Sequence, residues 1–359
     1  MAQTTRTRLK PEIFDLPVEK MRAGWYTDAY FNHARDTLLR DERRPRVVMQ
    51  IFQKEDAWLG GMDEAIAILK LCAVDFDALE VHALFDGDRI EPYEPVMHIE
   101  GDYTAFAHLE TPMLGTLARR TLITTNVVQV LEAANSKPII FMPARHDHHR
   151  IQTGDGYAAY VAGQIMGAEI GVTTNEQASW WGGRSIGTVP HSLIASYGGD
   201  TVLASEKFAA WAPADMNVTV LVDFENDSVR TALEVADALG DRLWGVRLDT
   251  SEALVDRSLW DELGDFTPTG VNERLVWKVR DALDERGYQR LRIVASGGFT
   301  AEKIRYFEDK GVPVDAFGVG SSLIRGSNDF TGDIVITDGK PSAKVGRRYR
   351  ESPRLELVA

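Results

Sequence analysis

The sequence predicts an α/β fold: an incomplete, TIM-like α/β barrel with an N-terminal α+β sandwich domain that the C-terminal segment rejoins. Three observations carry this reading. From residue 137 to about 322, short runs rich in Val, Ile and Leu alternate with helical segments, and strands apolar on both faces, each followed by a helix, form parallel sheets with helical crossovers. Polar residues gather at the ends of several successive runs, as they do on the C-terminal face of a barrel, which favours a barrel over an open doubly wound sheet. The flanking stretches have a different, hairpin-rich texture.

The elements follow in order. "PRVVMQIF" reads as a strand, "EDAWLGGMDEAIAILKLC" as a helix, and "LEVHALFDGDRIEPYEPVMHIEGDYTAF" as strands broken by Asp-Gly and Pro turns. "AHLETPMLGTLARRTLITTNVVQVLEAANS" is a long helical stretch whose pattern is interrupted at Pro112. Then come "KPIIFM", "DGYAAYVAGQIMG", "AEIGVT", "NVTVLVD", "SVRTALEVADALG", "LWGVRLD", "GVNERLVWKVRDALDERG", "LRIVASGG", "AEKIRYFEDKG" and "VDAFGVGSS". The last thirty residues return to a hairpin around Asp338-Gly339. The expected division is 1–125 for the N-terminal α+β domain, 126–328 for the barrel, and 329–359 for the segment that rejoins the first domain.

Of 359 residues, 44% are hydrophobic and 26% charged, an ordinary globular mix with apolar material for two cores. Net charge is -14, from 54 acidic and 40 basic residues. Such a chain lacks the long-range attraction for phosphate backbones that non-specific nucleic-acid binding requires, so an anionic ligand must be held locally. The single cysteine, Cys72, excludes an intramolecular disulfide, sits in an apolar helical run and reads as core. No stretch resembles a signal peptide or a membrane span, so a soluble cytoplasmic protein is expected, without membrane or nucleic-acid partners.

Two glycine-bearing loops close the barrel region. One holds Ser296, Gly297 and Gly298, the other Gly318, Gly320 and Ser321. Each follows a strand and leads into a helix-forming segment, where glycine lets the backbone approach a ligand and converging N–H groups favour an anion. Two such loops after the last two barrel strands read as a phosphate site. One strand earlier, Arg247 and Asp249 lie two apart and so on one face near the strand's end. They suit either a buried ion pair or a site where the carboxylate accepts from a vicinal diol and the guanidinium holds an anion. Arg145, after the first barrel strand, reads as an anion holder. The adjacent His146, Asp147, His148 and His149 do not match metal-ligand spacing. Thr173 and Thr174 offer hydroxyls at a strand end, while Trp180 and Trp181 read as packing. His191 follows Pro190 in "GTVPHSLI", which local grammar alone reads as a helix start.

The ordered set "GWYTDAYF", "HLETPMLGTLARRT", "GTVPHSLI", "VLVDFEND", "VRLDTSE", "VASGGF" and "FGVGSS" resembles nicotinate phosphoribosyltransferase of the shorter microbial type, from about residue 24 to about 325. The resemblance implies transfer of phosphoribose from 5-phosphoribosyl 1-diphosphate to nicotinate, giving nicotinate mononucleotide and pyrophosphate in NAD biosynthesis. It also implies Mg²⁺, ATP as co-substrate, and a homodimer or higher oligomer with shared active sites. Within "GWYTDAYF", Tyr30 would lie against the pyridine ring of the neighbouring subunit's site. Arg145 and Arg247 would hold the nicotinate carboxylate region, Asp249 the ribose hydroxyls, and the two glycine loops the 5-phosphate. His191 would be the phosphorylated histidine, which makes His191 and Asp249 the catalytic pair. Where many relatives carry Phe-Gly-x-Arg this chain reads "FMPAR", placing Met142 where an aromatic would stack. The alternatives are a decarboxylating quinolinate phosphoribosyltransferase and a non-catalytic phosphate-ligand sensor on a barrel.

Overall fold

A computed structural model describes residues 6–262, 264 and 266–358. The chain divides into two compact units: Met1–Thr125 with Tyr157–Ile165 and Gly326–Ala359, and Asn126–Gly156 with Met166–Arg325.

The first unit is built on a six-stranded antiparallel sheet. Its order is β13 (Lys340–Pro341), β12 (Thr331–Thr337), β1 (Arg46–Phe52), β5 (Pro95–Asp102), β3 (Glu80–Ala83) and β14 (Glu356–Leu357). The C-terminal segment therefore supplies an edge pair, β12 and β13, and the opposite edge strand β14. A short ladder of β2 (Ala57–Trp58) and β4 (Arg89–Ile90) stands apart. On β1, Val47, Met49 and Ile51 alternate into one core with Ile66 and Leu69 of the helix Met62–Cys72 and Met113 and Leu117 of the helix Glu110–Ala133, the period of two expected of a strand with one face on a helical layer. Cys72 is buried in that core.

Pro112 does not interrupt the long helix. The helix begins at Glu110, so the proline falls in the first turn, where its missing N–H would have had no intrahelical partner. The helix Met62–Cys72 starts behind Gly61, whose φ of +83° is left-handed, and it is capped by Asp86, which accepts the Met62 N–H at 2.7 Å.

The second unit is a parallel barrel. Strands run β7 (Ile170–Val172), β6 (Ile139–Phe141), β11 (Ala316–Val319), β10 (Arg292–Ala295), β9 (Leu243–Leu248) and β8 (Val218–Leu221), each pair parallel. The two edges are not left bare. Residues 185–189 run between them: Ser185 bridges Val172 of β7 and Val189 bridges Val220 of β8, both parallel. The Ile186 N–H donates to the Val172 carbonyl at 2.8 Å, and the Val189 N–H to the Thr219 carbonyl at 2.9 Å. Six strands and this irregular seam thus make a seven-staved ring in chain order, one stave short of the eight of a full barrel. Among the outer helices, Glu273–Glu285 shows the amphipathic logic: Asn272 caps it through the Leu275 N–H, and Leu275, Val276, Val279 and Leu283 are its buried stripe. Among the described residues, no helix is long and apolar enough to cross a membrane.

Candidate active site

The C-terminal ends of β8, β9 and β10, with the seam, bring four loops together in the second unit. Arg247 is the hub. Its Nε donates to Ser296 Oγ at 2.8 Å, Nη1 to Thr188 Oγ1 on the seam at 3.4 Å, and Nη2 pairs with Asp249 Oδ2 at 3.2 Å. Ser296 Oγ also lies 2.7 Å from Asp249 Oδ1. Arg247 and Asp249 are thus an ion pair, yet not a sealed one, since 22% of the aspartate side chain remains accessible. The guanidinium orients a carboxylate that still faces solvent, and an exposed face is what a diol needs.

The seam also delivers His191. Pro190 precedes the short helix His191–Ser196, and the histidine is its first residue, so the helix-start reading is correct as local structure. The ring is nonetheless committed elsewhere: Nε2 lies 2.9 Å from Asp223 Oδ1, an aspartate with 7% of its side chain exposed, while 43% of the imidazole is open. The hydrogen bond to Asp223 raises the His191 pKa most, desolvation opposes it, and the charges of Asp223 and Asp249 add to the rise against Arg247. Asp223 was missed as a site residue. Its signal was available, because it follows the apolar run of β8 as Asp249 follows that of β9, but which side chain it would meet lies 32 positions away.

The glycine loops are shaped by close approaches. Gly297 and Gly298 have φ of +86° and +70°, and a Cβ at Gly298 would fall 1.8 Å from Glu252 Oε1. Ser296 itself is buried, its hydroxyl spent on Arg247 and Asp249 and its backbone N–H donated to the Leu248 carbonyl at 2.9 Å, so any donors the loop offers come from the residues that follow it. Thr300 then caps the helix Ala301–Asp309 through the Lys303 N–H, and Lys303 Nζ reaches the Gly297 carbonyl at 3.4 Å. Lys303, which sequence reasoning passed over, thereby puts a cation beneath the first loop; burial lowers its pKa, and Glu252 acts in the opposite direction. In the second loop Gly320 precedes the turn Ser321–Ile324. A Cβ at Gly318 would meet Met142 at 3.0 Å, and one at Gly320 would meet His146 Nε2 at 3.0 Å. Met142 therefore does sit at the barrel mouth. Arg145, in the turn Pro143–His146, is exposed.

Thr173 and Thr174 have local duties. Thr174 caps the helix Asn175–Ala178 in a capping box with Gln177, and the Thr173 hydroxyl lies 3.3 Å from Gln177 Oε1. Tyr30 belongs to the first unit, in the helix Ala29–Arg40, where it is 62% exposed and its hydroxyl donates to Asp28 Oδ2 at 3.3 Å. Among the described residues, no three His, Cys, Asp or Glu side chains gather as a metal centre.

Residues 28–121 match the family model described as quinolinate phosphoribosyl transferase, N-terminal domain. Nicotinate phosphoribosyltransferase pncB1 of Mycobacterium tuberculosis is 30% identical over 284 residues, covering 76% of this chain; the match spans 57% of that relative's length. The crystal structure of nicotinate-nucleotide pyrophosphorylase from Pyrococcus furiosus is 32% identical with a TM-score of 0.79, over 96% of this chain and 85% of that one. Human nicotinic acid phosphoribosyltransferase, at 17% identity, TM-score 0.64 and coverage of 88% and 75%, shares the fold.

Proposed function

The chain belongs to the nicotinate phosphoribosyltransferase family, and from that premise we propose that it joins nicotinate to 5-phosphoribosyl 1-diphosphate in NAD biosynthesis, with ATP hydrolysis coupled through His191. The observation that carries the reading is the His191–Asp223 pair, 2.9 Å apart, set by the seam beside the Arg247–Asp249 pair.

The chemistry asks for alignment and charge more than for a strong base. As pyrophosphate leaves the anomeric carbon, positive charge grows on the ribose while the pyridine nitrogen attacks. Asp249, oriented by Arg247 and Ser296, accepts from the ribose hydroxyls and places its negative charge beside that centre. The glycine loops and Lys303 receive the 5-phosphate. Arg145 pairs with the nicotinate carboxylate, an interaction that uncharged analogues lack. Asp223 accepts one N–H of His191 and so leaves the ring nitrogen turned away from it with a lone pair. That nitrogen takes the γ-phosphoryl of ATP, with Asp223 stabilising the cationic ring that results. Magnesium suits the diphosphate of the substrate, whose oxygens such a hard cation prefers.

The match to the quinolinate family model favours one second reading, decarboxylating transfer from quinolinate, for which the basic run Arg145, His146, His148 and His149 would meet two carboxylates. A turnover panel separates the two. Nicotinate, nicotinamide and quinolinate are each offered with the phosphoribosyl donor, with and without ATP, and pyrophosphate release is followed. Turnover of nicotinate stimulated by ATP is expected; turnover confined to quinolinate, with carbon dioxide released, overturns the proposal. Labelled ATP should also leave a base-stable, acid-labile label that His191→Ala abolishes.

A further inference from the structure

The first glycine loop holds a negative charge that the transfer chemistry does not use. Glu252 lies three residues beyond Asp249, in the turn that leaves β9. The residue is exposed, yet its side chain does not extend freely into solvent. A Cβ at Gly298 would collide with the Glu252 carboxylate, and one at Gly270 would meet Glu252 Cα at 3.3 Å and Cγ at 3.7 Å. The carboxylate therefore rests in the space that a side chain at Gly298 would fill. Among the described residues it makes no hydrogen bond and no ion pair.

The groups around that carboxylate favour an anion. The N–H groups of Gly297, Gly298 and Phe299 donate to no acceptor among the described residues, and Lys303 Nζ stands 3.4 Å from the Gly297 carbonyl, where the charge of Glu252 acts on it. Ser322 Oγ donates to the Phe299 carbonyl at 2.8 Å, so the second loop braces the first. On the other flank a Cβ at Gly297 would stand 3.5 Å from Asp249 Oδ1, but that carboxylate is paired with Arg247. Glu252 has no such arginine. An anion entering the loop thus meets N–H dipoles and one cation in its favour, and one unpaired carboxylate against it.

We propose that Glu252 is a specificity-determining residue of the first glycine loop: it sets how much negative charge the loop admits. The carboxylate must give way to an entering anion and goes on repelling it, at a cost that grows with the charge of the ligand. The penalty is least for a phosphate monoester and larger for a diphosphate or triphosphate. The donor carries a monoester at one end and a diphosphate at the other, so the charge of Glu252 favours the orientation in which the monoester enters this loop. The proposal rests on the reading of the first glycine loop as the 5-phosphate site.

The test measures displacement of labelled ribose 5-phosphate from the full chain by unlabelled ribose 5-phosphate, pyrophosphate and tripolyphosphate, with divalent cations chelated. Glu252→Gln keeps the shape and removes the charge; Glu252→Ala removes both. Either variant should bind ribose 5-phosphate about threefold more tightly than wild type, pyrophosphate about sixfold and tripolyphosphate about tenfold, as expected for like charges a few ångströms apart in a solvated, salt-screened loop. In about 1 M salt all three gains should shrink below about twofold. Equal gains for the three competitors, gains that survive the salt, or gains confined to Glu252→Ala would mean that Glu252 acts by filling space, and overturn the proposal. Weaker binding of ribose 5-phosphate to Glu252→Gln, or pyrophosphate that displaces none of it from that variant, overturns it as well. A wild type that does not bind ribose 5-phosphate overturns the phosphate reading of the loop and the role of Glu252 with it, an outcome distinguished from the others by the wild-type titration alone.

Discussion

An imidazole bonded to a carboxylate can be a structural pair or a nucleophile with its orienter, and the two differ in what the free nitrogen meets. At His191 the ring is half open while Asp223 is nearly closed off, the arrangement of a reacting group on a fixed support. Asp223→Asn can keep a hydrogen bond to the ring but loses the charge. Phosphoryl transfer from labelled ATP should then fall by about ten- to a hundredfold, and the rise in the His191 pKa should shrink, moving the acidic limb of the labelling profile to lower pH. An unchanged label and profile would assign Asp223 to packing. The sign for stability follows from the same pair: a raised histidine pKa adds stability at low pH that fades as pH rises through the folded value. Asp249→Asn should lower kcat/KM at least a hundredfold with the fold retained by circular dichroism, since only charge near the developing cation is removed. The pair Arg247 and Asp249 was legible in the sequence because alternation along one strand fixes which residues share a face. Asp223 with His191 was not, because their meeting depends on two staves being adjacent in the ring.

At the scale of elements, the barrel strands announce themselves by Val, Ile and Leu runs, and the glycine loops by composition. The seam does not. "RSIGTV" carries no strand pattern, and it pairs with the sheet through one bridge at each end, so only closure of the ring defines it. What it contributes is placement, because Thr188 touches Arg247 and His191 follows three residues later. The two loops also differ in a way composition conceals. Gly298 is constrained by its positive φ, whereas Gly320 has a negative one, and at both positions the nearest obstacle is the end of an exposed side chain, Glu252 or His146. Gly298→Ala should therefore raise the donor KM by tenfold or more and lower stability by about 1–3 kcal/mol. Gly320→Ala should change either quantity only slightly, as His146 can turn aside. Equal effects on the donor KM at the two positions would show that the difference in backbone constraint does not matter to phosphate binding.

For the whole molecule, if Tyr30 completes the site of a second copy, mixing inactive Tyr30→Ala and Asp249→Ala subunits should restore activity, since one composite site in each mixed dimer has both residues intact. A mixture that stays inactive although subunits exchange places Tyr30 in its own chain's site or in none. A second molecular property belongs to a buried carboxyl: its contribution to stability falls as pH rises. The most exposed carboxylates are solvated, but Glu110, buried in the first unit, has its pKa pushed up to about 8, first by desolvation and then by the charges of Asp333 and Asp28. An acid whose pKa rises on folding destabilises the fold as pH climbs from its unfolded value near 4.5 to about 8, at up to about 1.4 kcal/mol per pH unit, and adds nothing further above that. Glu110→Gln removes the ionisation and keeps the shape. The variant should match wild type in denaturant midpoint near pH 4.5, gain on it steadily between pH 5 and 8, and hold a constant lead of about 1–4 kcal/mol above pH 8. Asp86, also raised to about 8 by burial, is present in both proteins and cancels from the difference. A gap that is flat across this range would mean that Glu110 is already ionised at neutral pH, paired with a cation that the buried environment does not otherwise supply.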